Sequence, residues 1–85
     1  MTMTTEDMWR HSLFFFSSEQ AVQAADWIEE HVEGVEEGEL IMGAGGRVEY
    51  RFYTWEELLE ETQQVIVQAT HPSRSIFNYE NWLEE

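Results

Sequence analysis

The chain has 85 residues without cysteine or lysine, and its 18 Asp and Glu residues face four arginines, for a formal net charge of −14. This length predicts a single domain over residues 1–85, and the lack of cysteine excludes both a disulfide framework and a thiol-ligated metal. Nucleic acid and membrane surfaces are disfavoured as direct partners because both are anionic.

The apolar content is typical of a small folded domain, with 42% hydrophobic and 14% aromatic residues. No apolar segment approaches the length of about 20 residues that a membrane span needs. The first residues, MTMTTEDMWRHS, also lack the apolar core of a secretory leader. We therefore expect a soluble, cytoplasmic protein.

The first predicted element is a buried strand over residues 12–16, SLFFF, whose three phenylalanines we assign to the core. Residues 17–20, SSEQ, have the spacing of a capping box with Ser17 as N-cap, so a helix should follow. It should end near residue 32 or 33, with Gly34 as its stop. Its expected apolar stripe consists of Ala21, Ala24, Ala25, Ile28 and Val32.

Residues 39–53, ELIMGAGGRVEYRFY, predict a β-hairpin. Val48, Tyr50 and Phe52 alternate with charged residues, which is the period of a half-buried strand. The glycines of residues 43–46, GAGG, permit the tight turn that the hairpin needs.

Thr54 and Glu57 have the spacing of a second capping box, which predicts a helix starting there. This helix should end near Thr70, because Pro72 disfavours a helical conformation at His71. The residues expected on its buried face are Trp55, Leu58, Leu59, Thr62, Val65, Ile66 and Ala69.

The tail has two interpretations, a last strand over about residues 74–79 or a short terminal helix capped by Asn78. With the strand, the order β-α-β-β-α-β is that of the split βαβ, or ferredoxin-like, arrangement. Without it, a three-stranded sheet remains. Both are α+β folds, two-layer sandwiches of a small antiparallel or mixed sheet with two helices on one face.

No pattern of catalytic or metal-binding residues is recognisable. The histidines His11, His31 and His71 lack the spacing of a zinc site, and residues 43–46 lack the lysine of a phosphate loop. Adjacent carboxylates such as Glu29 and Glu30 point about 100° apart on a helix. The acidic segment 34–39, expected to be a loop, does not have the spacing of a calcium loop. We expect no enzyme activity, cofactor or metal site.

The carboxylates concentrate in residues 26–39, DWIEEHVEGVEEGE, where seven of 14 positions are acidic. On the first helix they lie opposite the apolar stripe, and no lysine or arginine is near enough to pair with them. Trp27 lies between stripe and acids, as in a binding hot spot, or packs under a chain end. We predict a partner-binding surface, here called the acidic surface, formed by Asp26, Trp27, Glu29, Glu30, Glu33, Glu36, Glu37, Glu56, Glu57, Glu60 and Glu61.

In length and net charge, the whole chain resembles the small acidic inhibitors of phages and mobile elements, which include anti-CRISPR proteins and other DNA mimics. No motif supports the resemblance, so no functional residue is carried over. It implies a protein that blocks a basic, nucleic-acid-binding enzyme or complex, within the host cytoplasm if a phage encodes it. Carboxylates about 6 Å apart along a helix approximate a row of phosphates, which fits such a role.

Two other functions stay open. One is a generic interaction module, such as an antitoxin-like or assembly partner, that binds through its aromatic residues Trp9, Trp27, Tyr53 and Trp82. The other is an acidic housekeeping protein of a salt-loving organism. Whether the chain forms a homodimer is also left open.

Overall fold

The computed structural model describes residues 8–80, except for the side chain of Glu37. The described elements are β1 (Trp9–Phe15), α1 (Ser18–His31), β2 (Glu36–Met42), β3 (Val48–Thr54), α2 (Glu60–Thr70) and β4 (Arg74–Glu80). A short 3-10 turn, Ala44–Gly46, joins β2 to β3. The α+β class is confirmed, and the last strand forms over Arg74–Glu80. Most of the alternative helix, which would follow Asn78 as its cap, lies outside the described residues.

The four strands form one sheet in the order β2-β3-β1-β4, and each neighbouring pair is antiparallel. The two strands joined through α1 therefore flank β3, and the two joined through α2 flank β1. This is the ferredoxin-like arrangement, with no parallel pairing among the described strands. Both helices contribute to one core, so the sheet has an inner face under the helices and an outer face.

The core lies between the inner face and the helices. The alternation predicted for β3 is confirmed, because Val48, Tyr50 and Phe52 are all buried there. α1 begins at its predicted N-cap, where the Gln20 N–H donates to Ser17 Oγ at 3.2 Å. The buried residues that form the core cluster are Leu13, Phe15, Ala21, Ala24, Ala25, Ile28, Val48, Tyr50, Phe52 and Ile66.

The assignment of three consecutive phenylalanines to the core was wrong. Successive side chains of a strand point to opposite faces, so of the three phenylalanines only Phe15 reaches the core, on the same face as Leu13. Phe14 lies on the outer face, and Phe16 lies beyond the end of the strand with 66% of its surface exposed.

The predicted start of the second helix was also wrong. Thr54 is the last residue of β3, and its hydroxyl donates to the Glu56 carbonyl oxygen at 2.6 Å instead of capping a helix. α2 begins at Glu60 after a loop over residues 55–59. Trp55, which was expected in the core, is 43% exposed in this loop. The end of α2 at Thr70 is confirmed, with His71 in a left-handed conformation (φ 52°) before Pro72.

The segment between α1 and β2 is shorter than expected. α1 ends at His31, and Val32 is its C-cap, with its N–H donating to the Ile28 carbonyl oxygen at 2.8 Å. Gly34 then takes a positive φ of 79°, which the absence of a side chain permits. β2 starts at Glu36, so four of the six residues of the expected acidic loop, 36–39, belong to an edge strand.

Candidate functional site

A groove runs between the C-terminal end of α1, Thr54 with the loop over residues 55–59, and the first two turns of α2. We call it the interhelical groove, and its volume is about 940 Å³. Its apolar lining consists of Trp27, Val32, Trp55, Leu58, Leu59, Val65 and Ile66. Its acidic lining consists of Glu33, Glu56, Glu57 and Glu61.

Trp27 forms the α1 side of the interhelical groove. Its ring stacks on His31 one turn later, with centroids 4.5 Å apart and planes 16° apart. His31 Nδ1 donates to the Trp27 carbonyl oxygen at 2.9 Å, which fixes this arrangement. Trp27 is half-buried and packs against the core, so its ring presents a rigid edge to the groove.

The other side of the groove, formed by the loop and α2, has a buried residue at its base and exposed apolar side chains above it. Ile66 is fully buried at the floor, whereas Leu59 is 73% and Val65 is 49% exposed. Together with Trp55 these side chains give the groove an accessible apolar surface. Such contiguous exposed patches on small proteins are often interaction sites.

The loop that forms one rim is held by hydrogen bonds from distant strands. His11, buried in β1, lies with Nε2 2.8 Å from Thr54 Oγ1, and its Nδ1 accepts from the Asn78 N–H at 2.9 Å. Since Nδ1 is an acceptor, the proton is on Nε2, which donates to Thr54 Oγ1. Burial lowers the pKa of His11 to about 4, so its ring is neutral near physiological pH.

The carboxylates at the C-terminal end of α1 and just beyond it border a second hollow that adjoins the interhelical groove. Glu29, Glu30 and Glu33 line it together with Val35 and Gly38, and its volume is about 570 Å³. Glu33 belongs to both linings, so the structure brings the α1 acids and those of residues 56–61 onto one continuous surface. Glu60 and Asp26 are exposed on the same helices but line neither depression.

The charge of α1 acts on the sheet beneath it. Tyr50 is buried on the inner face, and burial together with the charges of Glu29 and Asp26 raises its pKa. Glu29 and Asp26 on α1 therefore lie close enough to Tyr50 for their charge to act on it.

One predicted residue, Glu36, is separated from the rest of the acidic surface. Glu36 pairs with Tyr53 in the sheet, and paired residues point to the same face, so Glu36 belongs to the outer face. Glu37 follows it in β2, and its side chain lies outside the described part of the structure. The acidic surface thus divides into a helical part and a part on the edge strand.

Sequence reasoning missed where the arginines lie. Arg10, Arg51 and Arg74 alternate with core residues along β1, β3 and β4, which places them on the outer face. The Arg10 guanidinium lies 4.3 Å from the Tyr79 ring centroid. Arg51 Nε donates to Glu49 at 2.9 Å, and Ser12 Oγ donates to the same carboxylate at 2.6 Å.

The ion pair on the outer face stabilises the charged form of the Glu49 carboxyl and so lowers its pKa. Burial raises the pKa of Glu49, but the hydrogen bonds from Arg51 and Ser12 outweigh it, so the net pKa is lowered. Among the described residues, no arginine lines the interhelical groove or the hollow. Arg10, Arg51 and Arg74 therefore lie on the opposite side of the sheet from the helical acids.

Sequence reasoning also missed the groove itself, because Trp55 and Leu59 were assigned to a buried helix face.

No described group of three or more His, Asp or Glu residues is placed to hold a metal ion. Within residues 8–80, no helix has the length and apolar character to cross a membrane. Comparisons of the chain with protein-family models, curated proteins and solved structures found no match.

Proposed function

We propose that this protein binds and blocks a basic surface of another protein, a nucleic-acid-binding enzyme or complex, in the manner of a DNA mimic such as an anti-CRISPR protein. It would act in the cytoplasm, through its acidic helical side and without catalysis. The observation that carries the proposal is the continuous acidic surface around the interhelical groove, with Glu29, Glu30 and Glu33 on one side and Glu56, Glu57 and Glu61 on the other.

The segregation of charge supports this function. An ordinary solvated helix face mixes acids with basic residues that pair with them, whereas three of the four arginines here lie on the opposite side of the sheet. The unpaired carboxylates repel one another and so weaken the isolated fold slightly. A basic partner would remove that repulsion on binding.

Association would use two kinds of contact. The net charge of −14 would steer a basic partner toward the helical side and speed encounter, mostly at low salt. The half-buried Trp27 and the exposed Trp55 and Leu59 would then supply the apolar contacts that slow dissociation.

The interhelical groove also favours a second candidate, a protein–protein interaction module that is unrelated to nucleic acid. Its apolar lining, with two tryptophans, would give affinity that depends little on salt. The two functions differ in one observable. DNA competes for the partner of a DNA mimic and does not compete for the partner of a generic module.

The test is capture of partners by the immobilised protein at low salt, with elution by duplex DNA and, separately, by rising salt. We expect a nucleic-acid-binding protein that DNA displaces. The variant Glu30→Gln/Glu33→Gln should reduce its capture, whereas Glu19→Gln/Glu39→Gln, which removes the same charge elsewhere, should not. Equal loss in both variants would mean that net charge alone binds, and a partner indifferent to DNA would favour the interaction module.

A further inference from the structure

We infer that the interhelical groove is the docking site for a basic amphipathic segment of the partner, a short helix with apolar residues on one side and Lys or Arg beside them. This inference rests on the proposed function and adds the chemistry of the partner's contact. The groove would take the apolar side chains, and its rim would take the cations.

The shape of the groove sets the size of this segment. Along α2 its lining runs from Glu61 to Ile66, which is about 7.5 Å at the rise of an α-helix, and the loop residues Leu58 and Leu59 extend it. The α2 part alone matches about one and a half turns of a docked helix, enough for apolar anchors at positions i and i+4. Trp27 and Leu59 stand on opposite walls and would contact the apolar side of the segment.

The rim determines the charge of the segment. Glu33 lies at the α1 end of the groove, and Glu56, Glu57 and Glu61 lie on the loop and α2. A segment with Lys or Arg next to its anchors would meet carboxylates on both walls. Its cations would also find the exposed ring of Trp55, whose face attracts guanidinium and ammonium groups.

The same charges disfavour the chain's own end as occupant. Residues 81–85 read NWLEE, so the apolar Trp82 and Leu83 are followed by two glutamates. Placing this segment in the groove would bring like charges together, at a cost that a basic segment does not incur.

The groove is organised before binding. Thr54, which precedes the loop over residues 55–59, is hydrogen-bonded to His11 in β1. Trp27 is fixed by its stack on His31. A partner segment would therefore dock without ordering this rim, which saves conformational entropy on association.

The experiment uses fluorescence anisotropy with two labelled probes, an amphipathic Leu/Lys helical peptide and an oligolysine of equal charge. Leu59→Ser in the full chain should weaken binding of the Leu/Lys peptide by at least about tenfold and leave oligolysine binding unchanged. The matched control is Met42→Ser, because Met42 is also exposed (69%) but lies on the edge strand β2, away from the groove. It should leave the binding of both probes unchanged.

The inference is overturned if Leu59→Ser and Met42→Ser have equal effects, or if oligolysine binds as tightly as the Leu/Lys peptide. It is also overturned if Trp82→Ser raises peptide affinity by tenfold or more, since the chain's own end would then be the occupant. Failure of the proposed function has a different result. In that case no DNA-displaced partner is captured, whatever effect Leu59→Ser has on binding of the Leu/Lys peptide.

Discussion

Asn78 holds both backbone polar groups of Leu58, 20 residues earlier in the chain. Its Oδ1 accepts from the Leu58 N–H at 2.8 Å, and its Nδ2 donates to the Leu58 carbonyl oxygen at 3.0 Å. Asn78 itself has a positive φ of 56° within β4, a conformation that Asn adopts more readily than most residues. One side chain of the last strand thus fixes the loop that borders the interhelical groove.

We expect Asn78→Ala to lower the free energy of unfolding by about 2 kcal/mol, because it removes both bonds and strains the positive φ. Asn78→Gly should cost less than Ala, since glycine tolerates this φ but still loses the bonds. Asn78→Asp keeps the acceptor and loses the donor, so its loss should also be smaller. Urea denaturation of the three variants checks this order, and equal losses in Ala and Gly would contradict the contribution of φ.

The buried His11 makes stability depend on pH. Burial lowers its pKa from 6.5 to about 4, so its stabilising contribution is complete above pH 6.5 and is lost as pH falls toward the folded value. A protonated ring would also turn Nδ1 into a donor facing the Asn78 N–H. We expect a loss of about 3 kcal/mol between about pH 7 and about pH 4 from this group.

The measurement compares the free energy of unfolding of the wild type and of His11→Gln across this pH range. The carboxylates titrate alike in both proteins, so the difference between the two curves isolates the histidine. The wild type should lose its advantage over His11→Gln as pH falls. Parallel curves would show that His11 does not carry the pH dependence.

Most of the secondary structure of this chain follows from short-range patterns, and the start of α2 is the exception. The N-cap of α1 and the alternation in β3 depend on residues close in sequence, and both were predicted correctly. The start of α2 was not, because Thr54 and Glu57 satisfy a capping pattern that tertiary contacts override. The bonds from His11 and Asn78 join residues 43 and 20 positions apart, and no local pattern encodes them.

The candidate site was predictable only as a distribution of charge. The wheel of α1 correctly indicated where Glu29 and Glu30 lie relative to its buried stripe. The groove between the helices depends on the loop over residues 55–59. It was not predicted because the second helix was expected to start at Thr54. The alternation of β3 indicated that Arg51 lies on the face opposite the core residues. The order of the strands was also needed to predict that Arg51 is separated from the helical acids.

Gly38 allows a close approach of the Tyr50 ring. A Cβ atom at Gly38 would lie 2.5 Å from the Tyr50 hydroxyl oxygen and 3.0 Å from Cε1. This hydroxyl is buried and has no hydrogen-bond partner among the described residues. We expect Gly38→Ala to destabilise the fold by about 1–3 kcal/mol, and Tyr50→Phe to be neutral or stabilising.

The double variant Gly38→Ala/Tyr50→Phe tests whether the hydroxyl is responsible. It should recover part of the loss, with a coupling of about 1 kcal/mol in a double-mutant cycle, because phenylalanine removes the closest atom. Thermal or urea denaturation provides the four values. Additive effects would show that Gly38 is needed for another reason than the Tyr50 hydroxyl.

The carboxylates at the end of α1 should weaken the free protein. Glu29 and Glu30 lie in the last turn, at the negative end of the helix dipole, and Asp26 repels Glu30 one turn later. The variant Glu29→Gln/Glu30→Gln/Glu33→Gln should therefore raise the free energy of unfolding by about 1 kcal/mol at low salt, and the gain should shrink at about 1 M salt. The same variant should bind the captured partner more weakly.

Glu19→Gln is the matched control, because Glu19 lies in the first turn, where a negative charge is favourable, so its loss should lower stability slightly. A triple variant that is less stable than the wild type but binds equally well would show that these residues serve the fold and not the partner.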